Sequence, residues 1–128
     1  MTLELKLLLW STLLAFVQNL MPFIGNTYKN GVVWAMGNRD NSPAPTEWAK
    51  RAFRARTNML ENLIVFALLV IIAKLVGISS PRTIMGAQLF FYGRVVHAAC
   101  YLIGIPYLRS LAWVVSVVGM GLILSELI

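Results

Sequence analysis

One stretch of the chain places four polar side chains on a single helical face. A helix advances by about 100° per residue, so an arc of roughly 80° between residues 51 and 61 collects Arg51, Arg54, Asn58 and Glu61. Arginine binds carboxylates through forked hydrogen bonds, and a glutamate carboxylate accepts hydrogen bonds from an ammonium group. The apolar run at 63–72 follows without a break, and a charged face is costly against lipid. We therefore expect this face to form half of a binding site for a small ligand that carries both charges.

A second polar face occurs later in the chain. Arg94, His97 and Tyr101 fall within about 60° of one another on a helix, and Arg109 and Ser110 open the next apolar segment. Both patterns are predicted to meet at the same end of one helical bundle. The combined set matches a ligand with two carboxylates, an amine and amide groups. Glutathione is such a ligand, and its thiol needs a cation or hydroxyl donor nearby to form the thiolate at neutral pH.

Simpler explanations exist for some of these residues. Glu61 is also suited to an intramembrane ion pair with one of the arginines, and His97 to a packed, hydrogen-bonded role. The chain has one histidine and one cysteine, and it shows no close pair of acids, so we expect no metal site.

The composition indicates an all-α integral membrane protein. Of 128 residues, 59% are hydrophobic and 12% are charged, whereas soluble domains contain about 25% charged residues. At about 20 residues per crossing, the chain has room for four transmembrane helices. The net charge of +6 arises from eleven basic and five acidic residues. The basic residues flank or enter apolar segments, so we expect contacts with membrane lipids and an anionic ligand, and not with nucleic acid.

The segments are predicted to form a single four-helix transmembrane domain over residues 1–128. The predicted helices cover about 3–24, 46–76, 82–103 and 108–127. Residues 37–45 are rich in turn formers, and Thr46 is a suitable N-cap for the second helix. Gln18 and Asn19 lie deep in the first apolar run and are expected to face other helices, whereas Gly119 and Gly121 are expected to allow close helix packing.

Basic residues near the predicted helix ends are distributed unevenly between the two sides. The first loop, the start of the second helix and the third loop carry Lys29, Arg39, Lys50, Arg51, Arg54, Arg56 and Arg109. The opposite side carries Lys6, Lys74 and Arg82. Lys and Arg are enriched on the cytoplasmic side of membrane proteins, which predicts cytoplasmic first and third loops and termini outside or in a lumen.

The two motifs also resemble a known family. The pattern Arg51-x-x-Arg54-Ala55-x-x-Asn58-x-x-Glu61 is similar to the second-helix signature of the MAPEG family, the membrane-associated proteins in eicosanoid and glutathione metabolism. Arg94-x-x-His97-x-x-x-Tyr101, followed by Arg109-Ser110, resembles the third and fourth helices of that family. The likeness extends over nearly the whole chain.

The resemblance implies a homotrimer of four-helix protomers. Glutathione, as co-substrate, would lie between protomers near the cytosolic face, and a lipophilic small-molecule substrate would enter from the bilayer. Arg54, Asn58 and Glu61 would hold the peptide, and His97 and Tyr101 would line the site. By the same resemblance, Arg109, or Ser110 beside it, would stabilise the thiolate.

Three hypotheses about function follow from these patterns. The first is a membrane-bound glutathione-dependent transferase or peroxidase that acts on lipophilic electrophiles or lipid hydroperoxides without a metal. The second is a non-catalytic membrane trimer that binds a lipid or a small anion. The third is a small proton-coupled exporter that uses the carboxylate of Glu61, which the arginines around that residue disfavour.

Overall fold

The computed structural model describes residues 1–39 and 45–128, and these residues form five helices. They are α1 (Leu3–Asn30), α2 (Val32–Met36), α3 (Glu47–Leu75), α4 (Pro81–Ile103) and α5 (Pro106–Leu127). Of the turn-rich segment 37–45, residues 40–44 lie outside the described residues. Helices α1, α3 and α5 are long and apolar enough to cross a membrane. Helix α4 is long enough but less apolar, since it carries Gln88, Arg94 and His97, and a fourth crossing is therefore not confirmed.

Helix α1 is longer than the sequence predicts. It passes through Pro22 and ends at Asn30, not near residue 24. A proline inside a helix removes one backbone hydrogen bond and its ring crowds the carbonyl of residue i−4, yet the chain stays helical on both sides of Pro22. It ends where Gly31 adopts a φ of +93°, a conformation that L side chains rarely adopt. The short helix α2 follows, so the predicted loop after α1 is partly helical.

Local sequence signals begin α3 and α4. The hydroxyl of Thr46 accepts a hydrogen bond from the backbone N–H of Ala49 at 3.1 Å, which confirms the predicted N-cap of α3. Ser80 and Thr83 form a capping box at the start of α4, where Pro81 occupies the first helical position. Gly104, with a φ of +92°, ends α4 in the left-handed conformation. These signals fix where each helix begins and ends, and therefore which side chains reach each end of the bundle.

Helices α4 and α5 approach each other through small residues. A Cβ added at Gly86 would lie 2.5 Å from the carbonyl oxygen of Gly119. Gly93 packs in the same way against the backbone of Ala112 and Ser116. The prediction for Gly119 is thus confirmed, but the one for Gly121 is wrong, because no described atom lies within 4 Å of a Cβ built there. The close α4–α5 contact matters because these helices carry the later polar motif.

The bundle interior is apolar around one aromatic pair. The rings of Phe66 in α3 and Phe90 in α4 stack with centroids 3.9 Å apart, and both side chains are fully buried. Helix α1 packs against α3 and α4 but not against α5 in the described part of the chain. Gln18 is buried as predicted, whereas Asn19, which was also expected to face other helices, is exposed on the outside of the protomer.

Candidate functional site

Two open clefts at one end of the bundle contain most of the predicted site residues. The first, which we call the α5 cleft, has a volume of about 210 Å³ and is lined by Asn58, His97, Tyr101, Arg109, Ser110 and Trp113. The second, the α3 cleft, has a volume of about 270 Å³ and is lined by Phe53, Arg54, Thr57, Asn58, Glu61 and Tyr101. Both clefts use Asn58 and Tyr101, so they are adjacent and share a wall.

Tyr101 is the contact point between two sides of the α5 cleft. Its ring centroid lies 5.1 Å from that of His97, one turn earlier on α4. The guanidinium carbon of Arg109 on α5 lies 4.6 Å from the centre of the Tyr101 ring. A cation over an aromatic face is attracted by the ring quadrupole, so this contact holds Arg109 beside α4. The guanidinium is thereby positioned at the cleft surface.

Asn58 is held by a neighbour that sequence analysis did not select. The side-chain amide of Asn62, one turn later on α3, donates to the backbone carbonyl of Asn58 at 2.8 Å and reaches its side-chain oxygen at 3.4 Å. The spacing of four residues was the available signal, because side chains at i and i+4 are neighbours on a helix. Asn62 therefore helps to orient the wall that both clefts share.

Arg54 and Glu61 flank the α3 cleft as exposed side chains. No ion pair within 4.0 Å involves Glu61 in the described part of the chain. An intrachain salt bridge to an arginine, one of the explanations considered for this residue, is therefore absent from the described protomer. The cleft thus presents a cation and an anion separately, an arrangement that suits a ligand with an amine and a carboxylate.

Two predicted binding residues do not line either cleft. Arg94 is only 1% exposed, and its three side-chain nitrogens have no hydrogen-bond partner among the described residues. The α4 face that carries Arg94 turns into the bundle, so this charge lies beneath the surface. Arg51 is partly buried and also lies outside both linings. Helical spacing placed the residues correctly on one face but did not predict which part of that face is covered.

Other residues differ from their predicted roles in smaller ways. Ser110 lines the α5 cleft, but its hydroxyl donates to the carbonyl oxygen of Pro106 at 3.3 Å, within its own helix. Trp113, which was not among the predicted site residues, lines the same cleft. It follows Arg109 by four residues, so helical spacing was a signal for it. Arg56 stacks on the ring of Phe53 at 4.5 Å and lines neither cleft.

The electrostatic character of the α5 cleft is basic. Arg109 contributes a charge at the surface, and the buried guanidinium of Arg94 lies one turn from His97. Among the residues that the structure describes, no acidic side chain lines this cleft. Charges in a partly desolvated site interact more strongly than in water, so the α5 cleft favours an anion. The α3 cleft, with Arg54 and Glu61, favours a zwitterionic group.

Comparison with known proteins identifies the family. A search of curated proteins finds no match, and neither does a search of solved structures. The model of the MAPEG family matches residues 7–127, which is nearly the whole chain and includes every residue of both clefts. Its match agrees with the helical bundle and with the three membrane-length helices. The chain therefore belongs to the MAPEG family.

Proposed function

We propose that this protein is a membrane-bound, glutathione-dependent transferase or peroxidase that acts on lipophilic electrophiles or lipid hydroperoxides. The family includes glutathione-dependent enzymes as well as non-catalytic members. The observation that carries the proposal is the pair of adjacent clefts, one basic and one with separate opposite charges, that share Asn58 and Tyr101. The γ-glutamyl end of glutathione is zwitterionic and would bind in the α3 cleft. Its central thiol would lie in the basic α5 cleft.

The binding roles follow from the chemistry of each lining residue. Glu61 accepts hydrogen bonds from the γ-glutamyl ammonium, and Arg54 binds a carboxylate of the same ligand in the α3 cleft. Asn58, held by Asn62, hydrogen-bonds the peptide where the two clefts meet. The thiol then reaches the α5 cleft, where His97 and Tyr101 form one wall.

Arg109 is the proposed catalytic residue. Its guanidinium stabilises the glutathione thiolate, because a nearby cation favours the charged form of a thiol. The contact with Tyr101 at 4.6 Å holds it in place for this task. In a transferase reaction the thiolate forms a C–S bond at an electrophilic carbon and displaces a leaving group, or adds to an activated double bond. In a peroxidase reaction it attacks the terminal oxygen of a hydroperoxide; the O–O bond breaks, the lipid leaves as an alcohol, and a second glutathione converts the sulfenic acid to the disulfide and water. The hydroxyl of Ser110 donates a hydrogen bond to the same sulfur when it no longer donates to the carbonyl oxygen of Pro106.

The acceptor is proposed to be a molecule dissolved in the bilayer. Helices α1, α3 and α5 expose many large apolar side chains on the protomer surface, as expected for helices that contact lipid or a second copy of the chain. A homotrimer would cover part of this surface and narrow the open clefts. The excess of basic residues beside the clefts supports a cytoplasmic position for the clefts, with the termini outside or in a lumen.

A non-catalytic function is the second candidate, and the bonding of Ser110 favours it. The Ser110 hydroxyl already donates to the carbonyl oxygen of Pro106, and among the described lining residues Arg109 is the one surface cation of the α5 cleft. A single cation suffices to hold a lipid phosphate or another small anion. In that case the same trimer binds an anion without any reaction at sulfur. The two candidates differ in thiol chemistry and not in fold.

The test is a kinetic and spectroscopic comparison of Arg109→Ala with the wild type in detergent. Loss of an electrostatic stabiliser typically costs about 10²–10³ in turnover. We expect such a loss with a lipophilic electrophile or a lipid hydroperoxide, together with the loss of thiolate absorbance in the glutathione complex. Arg82→Ala, which removes an exposed arginine at the opposite end of the bundle, is the matched control and retains both signals.

Three results would oppose the proposal. Unchanged turnover and thiolate absorbance in Arg109→Ala would remove this residue from the mechanism. The absence of turnover with every acceptor, together with saturable binding of an anionic lipid that Arg109→Ala abolishes, would support the non-catalytic candidate. Equal losses in Arg82→Ala would indicate a general effect of removing arginine.

A further inference from the structure

A carboxylate lies buried at the end of the bundle opposite the two clefts. Glu4, near the start of α1, is 5% exposed. Its Oε1 accepts hydrogen bonds from the hydroxyls of Ser79 at 2.8 Å and Thr83 at 2.7 Å. Its Oε2 is also buried and has no hydrogen-bond partner in the described part of the chain. Buried charged atoms normally have partners, so Oε2 marks a place for a hydrogen-bond donor.

A cavity of about 100 Å³ adjoins this carboxylate. It lies between the start of α1, the end of α3 and the turn into α4, and its walls include the apolar side chains of Val70 and Ile78. Metal cations such as Ca²⁺ require six or more oxygen ligands, more than the side chains of Glu4, Thr2 and Ser79 supply here, and the ammonium of Lys74 lines the same cavity. An organic ammonium fits better. Oε2 is covered in the protomer, and a turn of the Glu4 carboxylate toward the cavity would bring it to the ammonium N–H groups while the methylene groups contact the apolar walls.

A lysine complements the carboxylate at the same cavity. Lys74, in the last turn of α3, lines the cavity and is exposed. No ion pair within 4.0 Å joins Lys74 to Glu4 across the residues that the structure describes. The cavity thus offers a buried negative group and a more exposed positive group. A ligand that matches them has an inner ammonium and an outer anion.

The position of the cavity identifies the source of such a ligand. It lies where α1 begins and α3 ends, at the boundary of two apolar, membrane-length helices. This is the level of the lipid headgroups for helices that cross a bilayer. A phosphoethanolamine headgroup carries a primary ammonium two carbons away from a phosphate. The choline headgroup has the same charges, but its trimethylammonium has no N–H to donate to Oε2.

We propose that this cavity is a binding site for the headgroup of an ethanolamine phospholipid, with the ammonium on Glu4 and the phosphate on Lys74. The site is separate from the two clefts and does not rest on the proposed function. It would attach one lipid to the point where α1, α3 and α4 meet. The fully buried Thr83 donates its hydroxyl hydrogen bond to the same carboxylate, so the lipid-binding group is bonded directly to the first turn of α4.

The test is the affinity of the full-length, delipidated protein for phosphatidylethanolamine and phosphatidylcholine with identical acyl chains in mixed micelles. A hydrogen bond to a charged group contributes about a tenfold factor in affinity. We expect the wild type to prefer the ethanolamine lipid by about tenfold, and Glu4→Gln to show no preference. Lys74→Gln should bind both lipids more weakly. Glu126→Gln, which removes an acid that pairs with Arg82 at the same end, is the control and keeps the preference.

Equal affinity of the wild type for both lipids would overturn the proposal, as would a retained preference in Glu4→Gln. Tighter lipid binding by Lys74→Gln would show that Lys74 itself is the cation on Glu4, which also contradicts it. If Glu4→Gln does not fold, Lys74→Gln still decides, because Lys74 is exposed and its replacement leaves the buried network intact. Soluble phosphoethanolamine should compete only weakly, since the acyl chains contribute most of the affinity of the lipid.

Discussion

Replacement of Gly119 by alanine should weaken the α4–α5 contact. A Cβ at this position lies 2.8 Å from the backbone nitrogen of Phe90 and 3.0 Å from the Cβ of Leu89, and it is closer still to the carbonyl oxygen of Gly86. Two of these three atoms belong to the backbone and cannot rotate away. Carbon contacts are favourable at about 3.5–4.0 Å, so the two helices must separate by roughly 0.5–1 Å.

The expected magnitude comes from comparing two glycines on the same helix. Extra atoms in a packed contact cost about 1–3 kcal/mol, whereas a change from glycine to alanine within a helix gains up to about 1 kcal/mol. Gly121, two residues later, has no described atom within 4 Å of an added Cβ. The stabilisation from the higher helix propensity of alanine is the same for Gly119→Ala and Gly121→Ala. The difference between their free energies of unfolding is therefore the packing cost, about 1–3 kcal/mol.

Thermal unfolding of the detergent-purified protein measures this difference. A stability change of that size corresponds to a difference of roughly 3–12 °C in melting temperature for a chain of this length. Gly119→Ala should melt below the wild type, and Gly121→Ala at or above it. Since α5 carries Arg109 and Ser110, Gly119→Ala should also weaken ligand binding in the α5 cleft. Equal melting temperatures of the two variants would refute the close-packing argument.

Two further predictions concern aromatic contacts. Phe66→Ala removes a fully buried ring that stacks on Phe90 and should destabilise the fold by about 3–5 kcal/mol, whereas Phe53→Ala, at an exposed ring, should cost far less in the same unfolding assay. Similar losses in both would mean that the stacked pair is not central to the bundle. Tyr101→Leu should lower turnover or affinity by about 2–30-fold because it removes the ring beneath Arg109, a contact of about 0.5–2 kcal/mol. Tyr101→Phe keeps that ring face and should retain most of the activity, and an equal loss in both Tyr101 variants would assign the effect to the hydroxyl.

Local signals in the sequence predicted the parts of the fold that depend on local chemistry. Thr46 begins α3 because its hydroxyl caps the helix, and no distant residue is needed for that bond. The end of α1 was not predicted, because a proline indicates a possible break but does not say whether the chain continues as a helix afterwards. Tertiary context and Gly31 decided that helix α1 extends to Asn30.

The sequence predicted which site residues share a helical face, but it did not predict which of them reach the protein surface. Residues at i, i+3 and i+7 share a face by geometry alone, which explains why Tyr101 and His97 meet as expected. The same rule could not show that Arg94 turns beneath the surface while Arg109 reaches it. That outcome depends on how far α4 rotates against α3 and α5, and packing sets this rotation.

The glycines also show that local sequence does not reveal which residues contact another helix. Gly119 and Gly121 have similar sequence surroundings, and both are small residues on an apolar helix. Only Gly119 faces α4, where it meets Gly86. Neither Gly86 nor Gly93 was selected in advance, because a single glycine does not reveal which helix it will meet.

The most direct test of the central claim is calorimetric titration of glutathione into the detergent-purified protein. Arg54→Ala and Glu61→Gln remove the two charged groups of the α3 cleft. Arg56→Ala, which removes an arginine two residues away that lines neither cleft, is the matched control. We predict saturable binding by the wild type and by Arg56→Ala, and loss of binding in the other two variants while both remain folded. No binding by the wild type at millimolar glutathione would contradict the proposed function, and equal losses in all three variants would contradict the proposed site.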